Sequence, residues 1–258
     1  MLPCTFVICS HLKESHEKEV DFLYHQLVEA SFRLDEENPS LIIVLGGDGS
    51  FLHALHEYDF KGKYLLVNTG HLGFFSDYDI KELKQCAQDI ITNEEVEEKL
   101  PLFKASYLNR SHVFLSDLVL EAEKTSEFSL NVDDKYLTRA RATGLVVASS
   151  VGSTGYIGSL DSPVSLSSEP IYQYSFIAPV YNRLYPNTID KAILSQKQKL
   201  FISINDGRVR ATIDGLTSQE VEGEVEVEAS DETVSLIHFK DSDNFIRIYK
   251  AITVPEER

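Results

Sequence analysis

The chain has 258 residues, 43% hydrophobic and 25% charged, a globular composition with room for one large domain or two modest ones. Its formal net charge is -17 with no long run of Lys or Arg, which disfavours nucleic-acid binding but allows a small anion held by local N–H groups. Cys4, Cys9 and Cys86 show neither disulfide nor metal-ligand spacing, and no stretch nears the roughly 18 apolar residues that cross a bilayer, so a cytoplasmic protein without membrane attachment is expected.

Residues 5–8 form a short apolar run. Val20, Leu23, Leu27 and Ala30 then recur at helical spacing, and residues 41–45 are wholly apolar, giving strand, helix, strand. A second helical pattern starts near Phe51 with Leu52 and Leu55, and residues 64–67 supply a third apolar run. This alternation predicts a parallel sheet covered by helices. Another helix is expected from Asp79, with Ile80, Leu83, Cys86 and Ile90 on one face and the acidic stretch 94–98 closing it.

The texture changes at Pro101, beyond which short β runs predominate. Residues 128–132 and 136–138 flank a turn at Asp133 and Asp134, and residues 145–148 form another strand. Val221, Val225 and Val227 alternate with Glu222, Glu224, Glu226 and Glu228, as in a sheet with one wet face. The expected fold is a three-layer α/β domain with a parallel sheet over residues 1–100, followed by a largely antiparallel all-β domain over residues 101–239.

Three segments carry candidate chemistry. After the run 41–45 come Gly46, Gly47, Asp48, Gly49 and Ser50, immediately before a helical pattern. Glycines there let backbone approach a phosphate, and the helix start offers unpaired N–H groups. Asp48 is then placed to accept a proton from a hydroxyl or to engage a metal carried by a nucleotide. A tight strand-to-helix turn would use the same residues. The second segment, 68–75, follows the third strand and contains His71, Gly73, Phe74 and Phe75. In an open α/β sheet it faces the same space as the glycine loop; its phenylalanines either stack on a base or belong to the core. The third segment, 149–159, is rich in Ser and Gly and ends with Tyr156 and Ser159, and suits either a sugar-lining or a flexible loop.

Taken in order, Gly46-Gly47-Asp48-Gly49, Thr69-Gly70-His71-Leu72-Gly73-Phe74 and Gly152-Ser153-Thr154-Gly155-Tyr156, with Asn182-Arg183 and Ile213-Asp214-Gly215 further on, resemble the signature of the NAD kinase family. The glycine-aspartate motif alone is also similar to diacylglycerol kinases and phosphofructokinases. The resemblance implies an N-terminal nucleotide-binding domain completed by about residues 240–258, a β-rich NAD-binding domain, a site between them, and a homo-oligomer, dimer or tetramer. It implies phosphorylation of the NAD ribose by ATP or polyphosphate with Mg2+ carried mainly by the phosphates, and no dedicated metal ligands. By the same resemblance Asp48 activates the ribose hydroxyl, Gly46, Gly47, Gly49, His71 and Gly73 border the ligands, and Phe74 lies against the adenine. Ser153, Thr154, Gly155, Tyr156 and Ser159 line the NAD pocket, with Ala178 and Val180 along its wall.

Ser116-Asp117 stands where the family usually has Asn-Glu, and Thr143 where it has an acidic residue. Ser150-Val151 replaces the usual Thr-Pro, removing a fixed φ, and Gly155 replaces an alanine. A kinase is therefore expected, with a catalytically weakened dinucleotide sensor, or another kinase sharing the glycine-aspartate motif, as the alternative. A hydrolase is disfavoured because no G-x-S-x-G elbow is present, and His53 and His56 lack the further ligands of a zinc site.

Overall fold

Apolar runs become strands and the helical patterns become helices. The structure, a computed structural model, describes residues 4–10, 16–70, 73–167, 169–185, 189–240 and 244–253. In chain order the elements are β1 (Thr5–Cys9), α1 (Glu17–Glu29), β2 (Arg33–Leu34), β3 (Leu41–Leu45), α2 (Asp48–Glu57), β4 (Lys63–Asn68), β5 (Tyr78–Asp79), α3 (Leu83–Thr92), β6 (Val96–Tyr107), β7 (Arg110–Phe114), β8 (Asp117–Val132), β9 (Lys135–Ser149), β10 (Ile171–Ile177), β11 (Lys191–Ser195), β12 (Leu200–Ile213), β13 (Thr217–His238) and α4 (Asn244–Thr253). They form two compact units, Met1–Leu100 with Val234–Arg258, and Pro101–Thr233.

In the first unit the strands run β13, β4, β3, β1, β2, all parallel, with Ser235 and Leu41 both opposite Lys63 and Phe6 opposite Leu41. All five residues of β3 are buried, which is why the run is apolar without alternation. On one face Leu41, Ile43, Leu45, Leu65 and Val67 pack against Leu23 and Leu27 of α1 and Leu83, Cys86 and Ile90 of α3. On the other, Phe51 of α2 meets Tyr64 edge-on at 5.7 Å between centroids. The result is the expected three-layer arrangement, and the loops after β3 and β4 leave from the carboxyl ends of neighbouring parallel strands. The acidic stretch does not close a helix. α3 ends at Thr92, and Val96 already belongs to β6, which runs on through Pro101 because its fixed φ suits extended backbone.

The second unit is antiparallel, in the order β11, β10, β9, β8, β12, β13, with β6 and β7 paired as a hairpin. Its core takes Phe103, Phe114, Phe128, Leu145, Tyr172, Tyr174, Ile202 and Val225 among others. The runs 136–138 and 145–148, read separately from the sequence, are one strand, β9. Asp133 turns the chain between β8 and β9 with φ 51°, a conformation Asp tolerates. Among the described residues no helix is long and apolar enough to cross a membrane.

Candidate functional site

In the first unit the glycine loop joins the end of β3 directly to α2. The Gly46 N–H donates to the Val67 carbonyl at 3.0 Å, tying the loop to β4, and Gly47 in extended conformation starts the helix. Asp48 is the first residue of α2, and Gly49 beside it is exposed. The Asp48 carboxylate accepts the Phe74 N–H on both oxygens, at 3.0 and 3.2 Å. The first and second motifs therefore meet at this carboxylate. Burial pushes the Asp48 carboxyl up to about 6, against the hydrogen bonds from Phe74 and Phe75 and the charge of Arg247, which pull it down. It is consequently a carboxylate at neutral pH and close enough to neutrality to hold a proton in passing.

Of the two phenylalanines, Phe75 is buried and packs on Phe51 at 5.1 Å, as core, whereas Phe74 is half-buried and free to offer ring surface. Gly73 is half-buried beside it, and His71 lies outside the described residues. His53 is exposed on α2 and His56 sits edge-on to Phe60 at 4.8 Å. No group of three His, Cys, Asp or Glu side chains is gathered among the described residues.

In the second unit Ser116 and Asp117 stand at the start of β8, and the third motif folds over them. The segment 149–159 is structured: two 3-10 turns, Val151–Thr154 and Tyr156–Leu160, are joined at Gly155. The first packs so tightly that a Cβ on Gly152 would lie 2.2 Å from the Ser116 carbonyl oxygen, and one on Gly155 would lie 3.5 Å from a carboxylate oxygen of Asp117. Gly152→Ala should therefore cost at least about 3 kcal/mol, since backbone rather than a side chain must yield. A urea melt of the variant measures this, and an unchanged midpoint would contradict the packing.

Asp117 is buried, and its carboxyl is pushed up to about 6, first by burial and then by the neighbouring Asp214 carboxylate, with the Ser116 hydroxyl at 3.2 Å partly opposing. Asp214 accepts the backbone N–H groups of Leu115, Ser116 and Asp117 at 3.0, 2.7 and 3.1 Å. Nothing in the Asp-Gly dipeptide signals this beyond its suitability for a hairpin turn.

Thr154 is half-buried and Tyr156 is exposed, presenting its ring. Ser153 is fully buried and its hydroxyl is committed to the Ser165 N–H at 2.9 Å, so it braces the loop. Ser159 donates to the Tyr156 carbonyl at 2.7 Å. Ile157 and Ile177 share a small cluster with Val119, Val146 and Ala148, which sets Ala178, at φ 45°, at the end of β10. The Val180 N–H donates to the Arg141 carbonyl at 2.7 Å, and Thr143 donates its hydroxyl to the Ile177 carbonyl at 3.0 Å. Asn182 closes a turn, accepting the Leu184 N–H at 2.8 Å.

A family model described as the ATP-NAD kinase N-terminal domain matches residues 7–96, and one described as the ATP-NAD kinase C-terminal domain matches residues 119–239. Over 239 residues the chain is 28% identical to the NAD kinase of Staphylococcus aureus (strain JH9), covering 87% of this chain and 88% of that one. It is 26% identical over 207 residues to the NAD kinase of Lactobacillus acidophilus, covering 77% and 78%. Among solved structures, an NAD kinase from Archaeoglobus fulgidus in complex with ATP shares the fold with a TM-score of 0.78 at 21% identity, covering 96% and 98%. A yeast NADH kinase complexed with NADH does so with a TM-score of 0.82 at 19% identity, covering 99% and 89%.

Proposed function

The chain belongs to the NAD kinase family, and from that premise we propose that it transfers the terminal phosphoryl group of ATP to the adenosine-ribose 2'-hydroxyl of NAD, forming NADP. The observation that carries the chemistry is Asp48, a carboxylate at the first turn of α2 that is aimed by the Phe74 amide and poised near neutrality by burial. In this reading the hydroxyl oxygen attacks the γ-phosphorus, its proton passes to Asp48, and the bond to the β-phosphate bridging oxygen breaks to release ADP. The N–H groups at the start of α2 stabilise charge on the phosphates without having to reorganise.

Gly46, Gly47, Gly49 and Gly73 border that space, with Phe74 offering a ring to the adenine. In the second unit Ser116, Thr154, Gly155, Tyr156 and Ser159 supply the surface for NAD; the buried Asp117 and Ser153 shape it from within. Ala178 and Val180 complete its wall. In this reading a magnesium ion would be carried mainly by the donor phosphates, whose charge it would neutralise. We further propose a homo-oligomer in the cytoplasm. The exposed Tyr181, Leu184 and Ile193 supply apolar surface for the first, and Cys4, Cys9 and Cys86, none of them in a disulfide, suit the second.

The test is NADP formation by purified protein with NAD and magnesium, comparing ATP with polyphosphate in an enzymatic cycling readout. NADP from ATP is the expected result. Measurable NAD binding with no NADP from either donor would overturn the kinase and point to a dinucleotide sensor.

A further inference from the structure

The Asp48 carboxylate accepts the Phe74 N–H on both oxygens and is also hydrogen-bonded by the Phe75 N–H, so whatever fixes the backbone of Phe74 helps to fix Asp48. The opposite edge of that residue is held from the far end of the sequence. The Arg247 Nε of α4 donates to the Phe74 carbonyl at 3.1 Å, while another guanidinium nitrogen donates to Glu98 at 2.6 Å. Arg247 is only 3% exposed, so both bonds form out of water, and its planar fork spans the two acceptors at once.

The remaining charges around it close the arrangement. His238, at the end of β13, lies between Asp77 and Glu98 and within 3.3 Å of Arg247. Burial alone would lower its imidazole, but the two carboxylates more than reverse this and hold it raised. Lys240 donates to the Asp77 carbonyl at 3.2 Å and to Glu82 at 2.9 Å. Residues 73–77 are thereby fastened to three basic side chains of the C-terminal segment.

We propose that Arg247 is a positioning residue for phosphoryl transfer, holding the Phe74 residue so that its N–H keeps the Asp48 carboxylate aimed; this rests on Asp48 being the base. A residue needed only to neutralise Glu98 would be replaceable by lysine. One that must reach the Phe74 carbonyl and Glu98 together would not, because an ammonium is a point donor.

Arg247→Lys is therefore expected to fold and melt close to the wild type while kcat falls about tenfold and KM for NAD stays within about twofold, the pattern of a lost transition-state alignment. Ile248→Ala, which loosens the same helix without touching the network, should lower the melting temperature and leave kcat alone. Wild-type kcat in Arg247→Lys would overturn the inference. If Arg247→Lys does not fold, Glu98→Gln carries the same test: a kcat loss of about threefold at unchanged KM supports it, and unchanged kcat overturns it. An Asp48→Asn protein with wild-type turnover would instead remove the base role beneath the inference. Inactive Asp48→Asn beside fully active Arg247→Lys would remove the inference alone.

Discussion

Asp48→Asn should lower kcat by about 10²–10⁴-fold while leaving NAD binding and the fold intact. The substitution is nearly isosteric. Its amide oxygen can still accept the Phe74 N–H that the carboxylate accepts at 3.0 Å, but its nitrogen has no lone pair with which to take a hydroxyl proton. The wild-type enzyme should show the same dependence through pH. With the carboxyl raised to about 6, kcat/KM falls as pH drops through that value and the base becomes protonated. Stability moves the opposite way. The folded pKa lies above the ordinary value of 3.8, so between the two the native state binds more protons than the unfolded state, and stability declines as pH rises through this window. Asp48→Asn removes that cost. At pH 7.5 it should melt higher than the wild type, by about 1–2 kcal/mol after discounting for solvent screening, and near pH 4 the two should coincide. A variant more stable yet inactive cannot be explained by misfolding. Residual turnover within about threefold of wild type would remove Asp48 from the chemistry.

The parts of this molecule legible in its sequence are those whose signal is local. The run 41–45 is apolar because all five residues are buried, and Gly46 to Ser50 announce the turn into α2 in consecutive positions. The second unit is harder to read. β12 shifts register between Ile204 and Val209, where the polar residues 205–208 break the alternation, and one strand therefore resembles two. β9 is divided in the same way for a reader of sequence, although Lys135 to Ser149 pair continuously enough with β8 and β10 to form one strand.

The supporting residues of the candidate site were hidden for a different reason. Phe74 and Arg247 are 173 positions apart, and Asp214 lies 97 to 99 positions from the amides that it accepts. No window of periodicity spans such distances. Arg247 stands between Ile246 and Ile248 in α4, where its charge reads from the sequence as a surface cation rather than a buried fork. Motifs mark where ligands are approached, whereas the groups that hold those motifs in place are set by topology.

Asp214→Ala should destabilise the protein by about 4 kcal/mol and raise KM for NAD more than it lowers kcat. The residue does two jobs. With Gly215 it forms the turn between β12 and β13, at φ 49° and 68°, a pair of left-handed conformations that Asp-Gly suits and alanine does not. Its carboxylate, 4% exposed, also accepts three consecutive amides, and truncation leaves those N–H groups without their acceptor. Asp214→Asn separates the two jobs, because asparagine keeps the left-handed turn but offers one acceptor oxygen in place of two; it should cost about half as much. Freed of the Asp214 charge, Asp117 should titrate lower than its present value of about 6, since that neighbour ranks after burial in raising it. Urea melts of the two variants beside NAD titrations measure both effects. If Asp214→Ala loses stability with KM unchanged, the amide clamp is structural and Ser116-Asp117 does not set dinucleotide affinity; if KM rises in both variants in step with the loss of the clamp, the shortened Ser-Asp pair binds NAD because Asp214 holds its backbone in place.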